Sequence, residues 1–294
     1  MIERAYTEEA WACCRRGCGG KPMAEGPSSK PDGITPNAGE RHDEEVEDAF
    51  DRLVDAGQGR LTRPLLPLLT TAFVGGIDVG IGVLVYLVVK AETGSSLLAA
   101  LSFPVGFVAL LLARSELFTE NFLVPVTATV AGKGTLGQLL RLWALSLAAN
   151  LVGGLVMAVM IVIALPDVRD TAVQTGGHYA ELGVSWKSFF LAVLAGLVIT
   201  TLTRMQHATD ALGLKIVPAI LMSFVLVGTQ LFHCVLDSIF IFAGMLTGSA
   251  DYGLTEWAGA LGWSTLGILL GGLVLVTAVR LLRVPHRVIE ERAK

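Results

Sequence analysis

His233, Thr119, Asp237 and Glu116 are side chains able to handle a proton or a small charged solute, and all four interrupt apolar stretches. An imidazole exchanges protons near neutral pH, and a threonine hydroxyl both donates and accepts. His233 and Asp237 stand four residues apart, one above the other on a helix face, which predicts a carboxylate–imidazole contact. Thr119 belongs to the run Arg114-Ser115-Glu116-Leu117-Phe118-Thr119-Glu120-Asn121, set between apolar residues 97–113 and 122–131. Polar groups in such surroundings are expensive in hydrocarbon and mark functional positions. A second run, Thr229-Gln230-Leu231-Phe232-His233, echoes the layout of Ser115 to Thr119 and interrupts the apolar stretch 216–245. Paired interruptions in corresponding halves of a chain point to a transport site.

The rest of the chain supplies elements to hold these groups. Of its 294 residues 53% are hydrophobic and only 16% charged, below the roughly 25% of a soluble domain. The composition predicts an all-α polytopic membrane protein. Six spans of about 20 residues or more fit the hydrophobic pattern: 65–89, the interrupted 97–131, 139–165, 188–202, the interrupted 216–246, and 257–281. The segment 1–42 is polar, Gly- and Pro-rich, and reads as a disordered tail without a cleavable signal peptide. Residues 43–58 read as an acidic amphipathic helix with Val46, Ala49, Phe50, Leu53 and Val54 on one face, ended by Gly57 and Gly59. Residues 60–283 form the membrane domain and 284–294 a second tail.

Charge at the span ends sets orientation. Arg60, Arg63, Lys133, Arg141, Arg204, Lys215, Arg280, Arg283 and Arg287 fall on one side, and Lys90, Arg169 and Lys187 on the other. Both termini are therefore expected in the cytoplasm. Gly76 and Gly80 form a small-xxx-small pair for close helix packing. Asp78 between them needs a partner, for which Arg114 is the candidate; Arg114 or backbone donors are the candidates for Glu116. At each break a half-helix N-terminus would attract an anion. Thr119, Glu120 and Asn121 are the candidate caps of a half-helix starting at Phe122, with Pro125 in its first turn.

The composition also excludes functions. A net charge of −4 does not favour nucleic acid. No nucleophile–base pair, metal-ligand cluster or phosphate-binding glycine loop supports an enzyme or a cofactor. Cys13, Cys14 and Cys18 sit together in the polar tail, and Cys234 lies in a span. Three functional classes remain: a pore for a small weak acid or its anion, a neutral-solute channel of aquaporin type, and a non-transporting membrane scaffold or sensor.

The motif Glu116-Leu117-Phe118-Thr119, with the later Leu231-Phe232-His233, resembles the formate/nitrite transporter family over residues 60–283. The resemblance implies an aquaporin-like inverted repeat of six helices with the second and fifth broken. It also implies a homopentamer in a bacterial-type inner membrane, with one pore per protomer passing small monovalent anions or their acids. Thr119 matches the threonine of the second-span loop and His233 the central pore histidine, flanked by Leu117, Phe118 and Phe232. Phe103, Phe107 and Leu226 fall at constriction positions, and Thr200 where a pore asparagine is frequent. The chain departs from the pattern at Phe232, often acidic or glycine-flanked in relatives, and at Asp237, often asparagine. Lys187 lies near, but offset from, a vestibule lysine. These departures mark a divergent member.

Overall fold

The computed structural model describes residues 38–293, with side chains from residue 47 onward. The cysteine cluster and most of the tail expected over 1–42 lie outside the described residues. Within them the chain is helical and forms no strand. Helix α1 (Ala38–Leu61) precedes α2 (Leu65–Thr93), after which α3 (Ser96–Ser102) and α4 (Pro104–Ala113) run to the first break. A tight turn at Phe118–Phe122 leads into the short α5 (Val124–Val130), followed by α6 (Leu136–Ala164). The second half repeats the plan with α7 (Arg169–Leu182), α8 (Trp186–His207), α9 (Leu212–Gly228), the second break, and α10 (Cys234–Leu246). Then α11 (Leu254–Leu269) continues through a wider π-type stretch, Leu270–Ala278, into α12 (Val279–Leu281), and α13 (Pro285–Ala293) closes the described chain.

Among the described residues, five helical segments are long and apolar enough to cross a membrane: Leu65–Thr93, Ser96–Ala113, Leu136–Ala164, Trp186–His207 and Leu254–Leu281. The remaining apolar segment is divided into α9 and α10, each shorter. Large apolar side chains such as Ile163, Phe190 and Val274 are exposed on helix exteriors, an arrangement suited to lipid. The chain is a multi-pass membrane protein.

Two close helix pairs frame the interior. In the first, Gly76 of α2 lies against the Asn150 carbonyl of α6, and Gly153 against the Phe73 carbonyl; a side chain at either would collide with backbone. In the second, Gly271 packs against the Val193 carbonyl, joining the π-type stretch to α8. Backbones approach this closely only where no Cβ intervenes.

Helix α1 lies along α5, and α7 along α10, so each half carries a flanking helix on its shorter half-helix. Ala49, Phe50, Leu53 and Val54 are buried along this contact face of α1. Gly57 and Gly59 do not stop α1, contrary to the sequence expectation; the helix continues to Leu61. A side chain at Gly57 would collide with the Val124 carbonyl, so this glycine admits a close contact rather than a turn. Helix α13 docks across α1 through an Arg287–Asp51 ion pair and a His286 Nε2–Glu47 contact of 3.0 Å.

Candidate transport site

At the first break α4 ends on Arg114, whose φ of 55° is left-handed. The Ser115 N–H donates to the Leu110 carbonyl at 3.1 Å, closing the helix in a Schellman-type turn. The next backbone groups leave the helix and need partners elsewhere. The Glu116 N–H donates to the Thr71 carbonyl on α2 at 3.2 Å. Asn150 on α6 does the rest: its Nδ2 donates to the carbonyls of Ala72 (2.6 Å) and Glu116 (2.9 Å), and its Oδ1 accepts the Phe118 N–H (2.8 Å). A lone asparagine in a 29-residue apolar helix was a readable signal that the sequence reasoning missed.

The charges here face one another. The Glu116 carboxylate pairs with Arg63 and accepts from Asn121 Nδ2 at 3.0 Å. Arg60 donates to Asn121 Oδ1 at 2.8 Å and lies 3.8 Å from Glu120. Arg63, not Arg114, is thus the partner of Glu116. Nor does Arg114 pair with Asp78, which is buried with Oδ2 lacking a hydrogen-bond partner. The expected cap at Thr119, Glu120 or Asn121 is also replaced. These residues form the tight turn, and α5 starts at Val124 after Leu123, with Pro125 in its opening turn.

At the second break Gln230 takes the left-handed turn, φ 52°, and the Leu231 N–H donates to the Leu226 carbonyl at 3.0 Å. His233 is extended and caps α10, its Nδ1 accepting the Leu236 N–H at 3.2 Å. The Asp237 carboxylate does not meet the imidazole, contrary to the spacing argument. Its Oδ2 accepts the backbone N–H of His233 at 2.8 Å, and Oδ1 has no partner. The helical spacing holds only for residues inside the helix, and His233 stands at its extended threshold.

The two breaks touch at one point. Thr119 Oγ1 lies 2.9 Å from His233 Nε2, and both residues are fully buried. Because Nδ1 accepts a backbone N–H, the ring proton belongs on Nε2, which donates to the Thr119 oxygen. The threonine hydroxyl proton is then left free to donate. Phe103, Phe107, Leu117, Phe118, Leu226 and Phe232 are all buried and belong to the main apolar core of the bundle. The Phe103 and Phe107 rings stand 5.8 Å apart.

Thr200 is buried beside Phe122 and Gly272, its hydroxyl without a hydrogen-bond partner. Lys187 is exposed at the start of α8. Its charge reaches His178 on α7, which the sequence reasoning did not select. Burial first, then Lys187 and Lys90, push the His178 imidazole below its ordinary value, with Glu181 opposing them. Lys90 Nζ donates to Thr175 Oγ1 at 3.2 Å on the same helix. No cluster of three metal-ligating side chains occurs among the described residues.

A helical membrane bundle with two interrupted segments meeting at a buried hydroxyl–imidazole pair defines a protein of the broken-helix transport class. Residues 47–282 match the family described as Formate/nitrite transporter, and the chain belongs to that family. It is 30% identical over 215 residues to "Inner membrane protein YfdC" of Escherichia coli, covering 70% of this chain and 68% of the relative. Among solved structures, an "FNT family ion channel" aligns over 83% of this chain and 100% of its own, at 18% identity and TM-score 0.69. A "Pentameric formate channel with formate bound" aligns over 74% of this chain and 97% of its own, at 20% identity and TM-score 0.62. These two share the fold.

Proposed function

We propose that the protein is a membrane channel or transporter for small monovalent anions or their weak acids, formate and nitrite being the type substrates, and that it is not an enzyme. The observation that carries this reading is the Thr119–His233 contact, which joins both breaks inside an apolar cluster. A bare anion pays a large desolvation cost on entering such surroundings. The imidazole and hydroxyl lower that cost by hydrogen bonding, and proton transfer to the solute removes most of what remains. Phe103, Phe107 and Leu226 then act as constrictions, with Leu117, Phe118 and Phe232 lining the apolar path. Thr200 and Asp237 adjust the polarity of that path, and Lys187 adds positive charge at the outer vestibule.

The α9–α10 pair supplies the sixth crossing in this reading, and α1 and α13 lie in the cytoplasm. Membership in a family with a pentameric structural neighbour supports a homopentamer with one pore per protomer in an inner membrane. The test is flux in proteoliposomes, comparing formate, nitrite, acetate, lactate, hydrosulfide and water at two pH values. Formate or nitrite flux that falls in Thr119→Val, and falls and loses its pH dependence in His233→Ala, supports the proposal. Water permeation without acid uptake overturns it, as does acid uptake unchanged in His233→Ala.

A further inference from the structure

A cavity of about 390 Å³ opens beside the first break, between the end of α4, the end of α8 and the start of α9. At about 30 Å³ per water it holds roughly a dozen waters, far more room than a three-heavy-atom anion requires. Four of its lining residues are cations: Arg60, Arg63, Arg114 and Lys215. Two of these are already engaged, Arg63 by Glu116 and Arg60 by Asn121 and Glu120. Arg114 and Lys215 have no carboxylate within ion-pair distance among the described residues.

Two further features mark the wall. The Ser115 hydroxyl lines the cavity and is nine-tenths buried, with the Asp78 carboxyl as its neighbour and no hydrogen bond of full geometry. Arg114 occupies a left-handed turn that glycine takes without strain, so an arginine is kept there against backbone preference. A guanidinium fork, an ammonium and a hydroxyl are donors suited to an oxyanion with several acceptor oxygens. Asp210 and Glu120, also on the wall, oppose them and limit affinity, Glu120 being partly offset by Arg60 at 3.8 Å.

We infer that this cavity is a binding site for a phosphate-class oxyanion, held by Arg114, Lys215 and Ser115, and distinct from the Thr119–His233 contact. The phosphate is either free in solution or carried on a lipid headgroup. Glu120, the residue after Thr119, lines the same cavity, so an anion bound there obstructs access to the break from the basic side.

The test measures binding directly, so it stands whether or not the protein proves to pass formate. Purified full-length protein in phosphatidylcholine nanodiscs is titrated with inorganic phosphate by calorimetry, with chloride at matched ionic strength as control. Saturable phosphate binding, weakened about tenfold in Lys215→Gln and in Arg114→Gly, and tightened in Asp210→Asn, is expected. Arg114→Gly keeps the left-handed turn, and each variant is first checked for a wild-type size-exclusion profile. Nanodiscs containing phosphatidic acid distinguish the sources. Loss of soluble phosphate binding there, restored in Lys215→Gln discs to that variant's own level in phosphatidylcholine, assigns the site to a lipid headgroup. Unaltered soluble binding assigns it to free phosphate. No phosphate binding in phosphatidylcholine discs, an equal response to chloride, or three variants indistinguishable from wild type overturns the inference.

Discussion

Arg114 at the first break and Gln230 at the second take the same left-handed turn, and the next residue in each returns a hydrogen bond to a leucine carbonyl five positions back. Superimposing those turns aligns Glu116 with Phe232, Leu117 with His233, and Asn121 with Asp237. The flanking helices follow suit: Gly57 of α1 packs on the Val124 carbonyl, and Gly176 of α7 on the Phe240 carbonyl. That places Arg60 opposite Tyr179. The first break is therefore braced by ions and amides, Arg60 and Arg63 holding Glu116, Glu120 and Asn121. The second is braced by rings, Phe232 lying 5.2 Å from Tyr179, itself 5.9 Å from Phe240 and stacked on it. One backbone device serves both, and the residues packed against each break decide which chemistry holds it. Arg60, Arg63, Glu116 and Glu120 at the first break are spent on one another and on Asn121, and the contact between the breaks is the hydroxyl–imidazole pair of Thr119 and His233.

The comparison breaks most visibly at its ion pair. Arg63→Ala leaves the Glu116 carboxylate buried without its cation, a change that typically costs about 3–5 kcal/mol. The unfolding temperature of the detergent-solubilised protein should drop sharply, while Phe232→Leu, at the position equivalent to Glu116, costs only about 1–2 kcal/mol for the apolar volume it removes. Equal small losses would remove the distinction between the breaks.

Asn150→Leu withdraws partners from two backbone groups at the first break, the Glu116 carbonyl and the Phe118 N–H, and from the Ala72 carbonyl on α2. At about 1–3 kcal/mol for each buried group left unsatisfied, a loss of roughly 3 kcal/mol is expected by the same measurement. A loss near zero would mean that other groups satisfy that backbone.

Asp237→Asn keeps an acceptor for the His233 N–H and should cost under about 1 kcal/mol. Asp237→Leu removes it and should cost about 1–2 kcal/mol, the usual range for a lost cap. Similar losses in both variants would mean that the charge, rather than the acceptor, is what α10 needs.

A smaller effect belongs to His178, whose imidazole is pushed below its ordinary value in the folded protein. The unfolded chain then binds a proton that the folded chain does not. Stability contributed by the neutral ring is complete above about pH 6.5 and falls as the pH drops below it. His178→Phe should flatten this part of the melting-temperature profile between pH 7 and pH 5. An unchanged slope would show that His178 does not contribute to it.

Much of this molecule was legible in its residues. The cost of a polar group in hydrocarbon is local, so the apolar segments, both interruptions, and Thr119 and His233 stood out from the chain alone. The motif Glu116-Leu117-Phe118-Thr119 carried the family. The register between the breaks was not legible, because the repeated Leu-Phe letters suggest an alignment two residues away from the one the backbone turns define. Similar letters can occupy different dihedral positions. Nor was the identity of the partners legible. Arg63 rather than Arg114 reaches Glu116, Asn150 from α6 satisfies the first break, and Asp237 serves a backbone N–H instead of an imidazole. Burial cost says that a polar group needs a partner and not which one, since partners far apart in sequence are chosen by where close helix packing brings them. The sequence by itself determined a multi-pass membrane protein of this family, with two breaks and their reactive groups. Only the tertiary structure decided that the breaks meet at Thr119 and His233, and that ions brace one while aromatic rings brace the other.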